Sequence, residues 1–200
     1  SELKHLDIGA GAGQLVDMFR REFGARSWVC DYTDKLMRSP GQSVDIANLN
    51  SEGLPYDSNQ FDIVTATEVV EHLEHYRETL REIYRVLRPG GFAVISTPNI
   101  LNLKSRLRFL TFGFWNLFGP LPVRNGDLFS TGGHINPVSS FYLMHSMMDA
   151  GFEKVRWATD RTQRSAVLPF VLLYPFIRFA AFRAWRREVK RFGTIDQWNA

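Results

Sequence analysis

Leu6-Asp7-Ile8-Gly9-Ala10-Gly11-Ala12-Gly13 decides the reading of this chain. Leu6 and Ile8 flank Asp7 as in a short buried strand, and the residues that follow turn into a helix. Glycine at every second position strips the β-carbons from the bend between the two. Bare backbone there can approach a ligand closely and face its amides toward a carboxylate or phosphate. The spacing is acid-x-Gly-x-Gly-x-Gly. It differs from the Gly-x-Gly-x-x-Gly of dinucleotide binders and from the Gly-Lys-Ser/Thr of nucleotide triphosphatases. No lysine follows to neutralise phosphates, so a ligand with an amino-acid end suits the bend better than a polyphosphate.

Working outward, Leu15, Met18, Phe19 and Phe23 recur at helical spacing, and Gly24 stands where that helix stops. Residues 26–31 read as a second strand ending in an acid, 44–46 as a brief third, 61–66 as a fourth and 92–97 as a fifth. Between the last two, residues 76–87 carry Leu80, Ile83, Tyr84 and Leu87 on one stripe. This is the clearest helix in the chain, and Arg88-Pro89-Gly90-Gly91 closes it. Asn136-Pro137 reads as the cap and first position of a helix running to Ala150, and 152–158 as a sixth strand. Such alternation calls for a mostly parallel sheet with helices on both faces, an α/β fold.

The chain has 200 residues, 44% of them hydrophobic, enough for one substantial core. A formal net charge of +3 is too small to imply nucleic-acid binding, and a nucleic-acid partner is not expected. The lone Cys30 excludes internal disulfides and suits a reducing cytoplasm; Trp28 and Val29 beside it indicate a buried strand thiol. The chain opens directly on a charged, then strand-like segment, so no signal peptide is expected.

The Asp7–Gly13 block resembles motif I of the class I S-adenosylmethionine-dependent methyltransferases, and the likeness continues for about 150 residues. The members it most resembles act on small molecules, quinones and lipid precursors. The resemblance implies a Rossmann-like three-layer sandwich with a mostly parallel sheet of six or seven strands in the order 3-2-1-4-5-7-6. Residues 159–167 are the candidate for the seventh strand. It also implies S-adenosylmethionine as cofactor and S-adenosylhomocysteine as product, held at the carboxyl ends of the strands. Asp7, Gly9, Gly11 and Gly13 match the turn that holds the methionine portion. Asp31 matches the acid that grips both ribose hydroxyls, two donors for one carboxylate; its other reading is an acid that caps the turn before Asp34. Tyr32 joins the cofactor-binding set beside it. Asp45 and Ile46 match the positions that bond the adenine amino group and pack on its face, and Thr67 would face the methionine. Leu54-Pro55-Tyr56 with Phe61-Asp62, and Leu87 with Arg88-Pro89-Gly90-Gly91, match two further signatures of the family. Only residues 1–5 precede Leu6, where the family carries a helix or more, so an amino-terminal lid is expected to be missing from this stretch.

Methyl transfer needs an acceptor held in line behind the methyl group. An oxygen acceptor must also lose its proton, a task that suits histidine. The candidates are His72 and His134. His72 closes the string Glu68-Val69-Val70-Glu71-His72, in which Glu68, Glu71 and His72 share a face of a helical turn. With His134, this set resembles a divalent-metal site of small-RNA 2′-O-methyltransferases and of some quinone O-methyltransferases. The same string simply orders a helix start in relatives without a metal, and no metal ligand is assigned. His5 and His75 read as surface residues, and His145 as packed.

Two stretches stand outside this pattern. Residues 101–133 occupy the place of an acceptor lid and mix Lys104, Arg106 and Arg108 with Leu107, Phe109, Phe112, Phe114 and Trp115. They enclose an apolar acceptor, rest on a membrane, or pack as an ordinary helix. Residues 166–177 carry no charge and contain Pro169 and Pro175, too short a run for a span of about 20 apolar residues. Arg178, Arg183, Arg186 and Arg187 follow, so this tail reads as an interfacial anchor, or as a helix covering the sheet or a second subunit. The expected organisation is a catalytic domain over 1–165 and an apolar, basic tail over 166–200. The expected function is methyl transfer from S-adenosylmethionine to a small-molecule or lipid-linked acceptor, at oxygen. It would occur in the cytoplasm, with peripheral contact at the inner face of a membrane. A metal-assisted RNA 2′-O-methyltransferase and a non-catalytic S-adenosylmethionine-binding protein are the alternatives. The sequence sets no oligomeric state.

Overall fold

Strand β1 (Lys4–Ile8) runs through the middle of the sheet with every residue after Lys4 buried. Its alternation puts Leu6 and Ile8 on one face and His5 and Asp7 on the other. A computed structural model describes residues 2–120, 133–159 and 164–192. β2 (Arg26–Asp31) and β4 (Phe61–Thr67) flank β1, with β3 (Asp45–Ile46) beyond β2 and β5 (Leu87–Ser96) beyond β4. All four pairings are parallel, in the order β3-β2-β1-β4-β5. Winding reverses between β1 and β4, so a crevice opens at the carboxyl ends of these two strands.

Helix α1 (Gln14–Phe23) covers the His5 face and buries Val16 and Phe19, whereas Phe23 is exposed. On the other face, Leu6, Ile8, Val64 and Ala66 share a core with Leu80, Ile83 and Val86 of α2 (Tyr76–Val86). Each such fully buried aliphatic side chain contributes roughly 1.5–3 kcal/mol. Leu143 and Met147 of α4 (Ser140–Ala150) complete that core. Helix α3 (Leu103–Phe112) starts at Asn102, whose side chain accepts from the Ser105 amide.

Among the described residues the sheet has five strands rather than six or seven. The expected sixth, 152–158, pairs with no strand among the described residues. Phe152 and Val155 are its residues packed against the core, a spacing of three that a strand cannot use to line one face. Of the proposed seventh, 160–163 lie outside the described residues, and Arg164–Ala166 form a short 3-10 turn. Helix α2 ends at Val86, just ahead of Arg88-Pro89-Gly90-Gly91 as expected, and these four residues lie in a bulge inside β5, where Phe61 pairs with Leu87 and Ile63 with Phe92. Helix α4 starts three residues later than Asn136-Pro137 predicts. The Asn136 amide is engaged with the Leu73 carbonyl at 3.1 Å, and Ser139 caps the helix instead. Cys30 is buried, as expected. His75 is exposed as expected, but His5 is fully buried and His145 is exposed, the reverse of the sequence reading.

The chain divides into two compact units, Ser1–Arg156 and Trp157–Ala200. The second contains α5 (Val167–Phe192), a helix with Pro175 inside it. Leu168, Leu172, Phe176 and Phe179 are exposed along it. Its apolar character persists past Arg178, so Val167–Ala184, mean hydropathy 1.5, is long and apolar enough to cross a membrane by length and composition. The sequence reading, which stopped the apolar run at Ile177, made it too short.

Candidate cofactor cleft and catalytic histidines

The glycine bend leaves β1 at Gly9, whose amide donates to the Cys30 carbonyl at 2.8 Å and so ties the bend to β2. Gly9 and Gly11 have φ of 66° and 51°, in the left-handed region that favours glycine. A β-carbon at Gly9 would stand 2.5 Å from Val69 Cγ2, whereas one at Gly11 would meet nothing within 4 Å. Thus Gly9 is required by packing, and Gly11 borders open space.

Asp7 lies beneath this bend. Its Oδ1 accepts from the Thr65 hydroxyl at 2.6 Å, while Oδ2 is buried and has no hydrogen-bond partner among the described residues. Burial pushes the carboxyl up to about 6; the Thr65 hydrogen bond opposes that rise and the Asp31 charge adds to it. A buried carboxylate oxygen left without a partner beneath the glycine bend suits a cationic group of a ligand. Asp31, at the end of β2, accepts from the Gly11 amide at 3.3 Å and the Thr33 amide at 3.4 Å. Asp45, on the short β3, accepts from the Tyr56 hydroxyl at 2.7 Å. Burial, followed by that hydrogen bond to Asp45, pushes the Tyr56 phenol up. Tyr32 and Ile46 are exposed next to these acids, and Thr67 closes β4. The nominated cofactor residues therefore gather at the carboxyl ends of neighbouring strands.

Beyond β4 the backbone turns sharply at Glu68, a non-glycine residue with φ of 56°. The Ser96 hydroxyl donates to Glu68 Oε1 at 3.0 Å and helps hold that strained turn. A short 3-10 turn, Val70–His72, follows. The amides of Ile135 and Asn136 both donate to the Glu71 carbonyl at 2.9 Å, which brings His134 beside His72 with ring centroids 4.8 Å apart. His72 Nδ1 is 2.9 Å from the Gly133 carbonyl. A carbonyl only accepts, so Nδ1 carries the proton and Nε2 keeps its lone pair. Burial and then His72 lower the His134 pKa, and its Nδ1 is buried without a partner among the described residues. Glu71 is fully buried, with neither carboxylate oxygen hydrogen-bonded among the described residues. Burial first, and Glu68 nearby, push its carboxyl up to about 7. One ligand atom each from Glu71, His72 and His134 lie within 4.8 Å of one another, so these residues could hold a metal ion.

Sequence reading located the glycine bend, the strand-end acids and both histidines, but not Thr65 or the buried His5. Neither has a local signal, because their partners lie on other strands.

A glycine bend at the reversal point of the parallel order β3-β2-β1-β4-β5 is the architecture of α/β domains that bind nucleotide-containing cofactors. The chain belongs to the methyltransferase-domain family, whose model matches residues 1–156. It is 28% identical over 166 residues to the ubiquinone/menaquinone biosynthesis C-methyltransferase UbiE of Nitrosospira multiformis, covering 76% of this chain and 68% of that one. It spans about two-thirds of the length of the curated relatives it matches. Among solved structures, a SAM-dependent methyltransferase from Archaeoglobus fulgidus has the same fold, with a TM-score of 0.60 at 19% identity, covering 90% of this chain and 80% of that one. So does Haemonchus contortus phosphoethanolamine N-methyltransferase 2, described in complex with S-adenosylhomocysteine. Its TM-score is 0.57 at 17% identity, covering 78% of this chain and 34% of that one. The chain is thus an S-adenosylmethionine-dependent methyltransferase by family and fold. The RNA-modifying and non-catalytic readings gain no support from these relatives.

Proposed function

We propose that this chain moves the methyl group of S-adenosylmethionine to a hydroxyl oxygen of a small aromatic or lipid-linked acceptor of the quinone-precursor kind, with His72 as the base. The observation that carries this reading is the imidazole fixed at Nδ1 by the Gly133 carbonyl with its Nε2 lone pair left over. When bound, the cofactor supplies an electrophilic methyl on a sulfonium. Asp7, Gly9, Gly11 and Gly13 hold its methionine end and Thr67 faces it; Asp31 and Tyr32 hold the ribose, and Asp45 and Ile46 the adenine. His72 takes the acceptor proton onto Nε2, while Nδ1–H keeps the ring in that tautomer. His134, its own pKa lowered by burial, flanks His72 without competing as a cation.

The UbiE relatives are named for methylation at carbon. A phenolate is nucleophilic at oxygen and at the adjacent ring carbons, so removing one proton serves either outcome. Incubating the protein with hydroxylated benzoquinols and methyl-labelled cofactor, then locating the label by NMR, is expected to give an O-methyl product. A C-methyl product would overturn the oxygen assignment, and turnover of no aromatic acceptor would overturn the acceptor class. A second reading, favoured by the unpartnered Glu71 carboxylate beside two histidines, places a divalent cation on Glu71, His72 and His134. EDTA added to the same assay separates the two. Loss of turnover, restored by Mg²⁺ or Mn²⁺, supports the cation, and unchanged turnover rejects it.

The same proposal assigns residues 1–165 to catalysis, 101–133 within them to the acceptor lid, and 166–200 to a tail that rests on the inner face of a membrane. Support comes from α5, where exposed Leu172, Phe176 and Phe179 lie beside exposed Arg178, Arg183, Arg186 and Arg187. Removing residues after Gln163 is expected to abolish co-sedimentation with phosphatidylglycerol vesicles. Equal partitioning of the whole and shortened chains would reject the membrane contact.

A further inference from the structure

Thr65 bonds the buried Asp7 carboxylate beneath the glycine bend, and His5 bonds Thr65 in turn. Strand pairing sets His5 opposite Ser27 of β2 and Asp7 opposite Thr65 of β4. His5 and Asp7 are two residues apart on β1 and therefore share the face that α1 covers. Along that face Ser27 Oγ is 3.0 Å from His5 Nδ1, His5 Nε2 is 2.9 Å from Thr65 Oγ1, and Thr65 Oγ1 is 2.6 Å from Asp7 Oδ1.

With Asp7 ionised, one proton arrangement satisfies all three contacts. An ionised Asp7 only accepts, so the Thr65 hydroxyl donates to it. With its single proton committed, that hydroxyl accepts from His5, which must carry its proton on Nε2. His5 Nδ1 then accepts from the Ser27 hydroxyl. Thr65 also lies 3.4 Å from the Leu6 carbonyl, a longer contact that would leave Asp7 without a donor. Burial keeps the imidazole neutral, with its pKa down at about 4. Phe19 stacks on it, with ring centroids 3.9 Å apart, and fixes its plane.

We propose that Ser27, His5 and Thr65 are positioning residues, a one-way chain of hydrogen bonds that keeps Asp7 ionised and leaves Oδ2 free for the ammonium group of the cofactor. This rests on the reading that Asp7 receives the methionine end. Asp31 of β2 is the charged group acting on Asp7, and its field favours the protonated form. β4 contributes the Thr65 hydroxyl, α1 packs the uncharged Val16 and Phe19 on the sheet, and His5 on the same strand is neutral. Donation from Thr65 therefore opposes burial and Asp31 together.

The test is calorimetric binding of S-adenosylhomocysteine between pH 5 and 9, with folding of each variant checked by thermal melting. Wild-type affinity is expected to fall as pH drops through about 6, where Asp7 gains its proton. Thr65→Val removes the hydroxyl at nearly constant shape. It should move that midpoint upward and weaken binding at pH 7 about tenfold, the scale of a lost charge-assisted hydrogen bond. Thr65→Ser should restore both, which a purely structural role would not require. Should Thr65→Val fail to fold, Ser27→Ala at the far end of the chain gives the same test, with a smaller upward shift expected. A folded variant with wild-type affinity and midpoint overturns the proposal. Asp7→Asn separates the two failures. If it too binds normally, the assignment of Asp7 itself is wrong. If it loses binding while the other variants do not, only the hydrogen-bond chain is wrong.

Discussion

Gly11→Val is expected to abolish binding of S-adenosylmethionine and S-adenosylhomocysteine while leaving the protein folded. A β-carbon at Gly11 meets nothing within 4 Å, so the added side chain enters the open space assigned to the methionine tail. The backbone pays for a left-handed φ of 51° with about 1–2 kcal/mol, which a domain stable by about 5–15 kcal/mol survives. Affinity should fall by more than about 100-fold in calorimetry, since about 2.7 kcal/mol is lost by excluding even part of the tail. Gly9→Val behaves differently, because its β-carbon collides with Val69 Cγ2. That variant should lose melting temperature as well as ligand. A folded Gly11→Val protein with unchanged affinity would dismiss this bend as the cofactor site.

The second large effect is expected at His72. His72→Ala removes the proposed base but leaves the glycine bend, Asp7 and Asp31 untouched. Turnover with a hydroxylated aromatic acceptor should fall by about 10²–10⁴, the usual worth of a positioned general base. S-adenosylhomocysteine affinity should stay within about twofold, as for a residue whose interaction is made only in the transition state. Single-turnover measurements keep product release from masking the chemical step. Equal rates for the two proteins would remove His72 from the mechanism.

Much of this architecture was legible because the chemistry is local. The alternating Leu6 and Ile8, the glycines after them and the acid ending β2 are signals within a few residues of one another. The α2 stripe of Leu80 and Ile83 likewise needs no distant partner. What the sequence concealed depends on pairing across the sheet. His5 read as a surface histidine because nothing beside it is aromatic or hydroxylated; Phe19, Ser27 and Thr65 reach it through folding. The helix start at Ser139 was hidden for the same reason, since the Asn136 side chain is diverted to Leu73 across the fold. The expected strand over 152–158 shows the opposite error. Phe152, Val155 and Trp157 have the right composition, but without a paired neighbour their backbone groups do not form a ladder. Glu71 was noticed as part of a string, yet its burial without a hydrogen-bond partner among the described residues is a property of packing alone.

The orphaned oxygen of Asp7 also bears on stability. Its pKa is raised from 3.8 to about 6, so between about pH 4 and 6 the folded protein holds a proton there that the unfolded chain releases. Stability from this group is full below about pH 4 and is lost as pH rises through about 6, a change of about 3 kcal/mol. A bound ammonium group restores it. Donor and spent product carry the same ammonium and the same sugar, however, and differ only at sulfur. On the proposed assignment, Asp7 and Asp31 grip both species alike, which is binding that does nothing to separate fresh reagent from waste. On that assignment the by-product competes with the donor for one seat, and adding S-adenosylhomocysteine to the assay is expected to slow turnover.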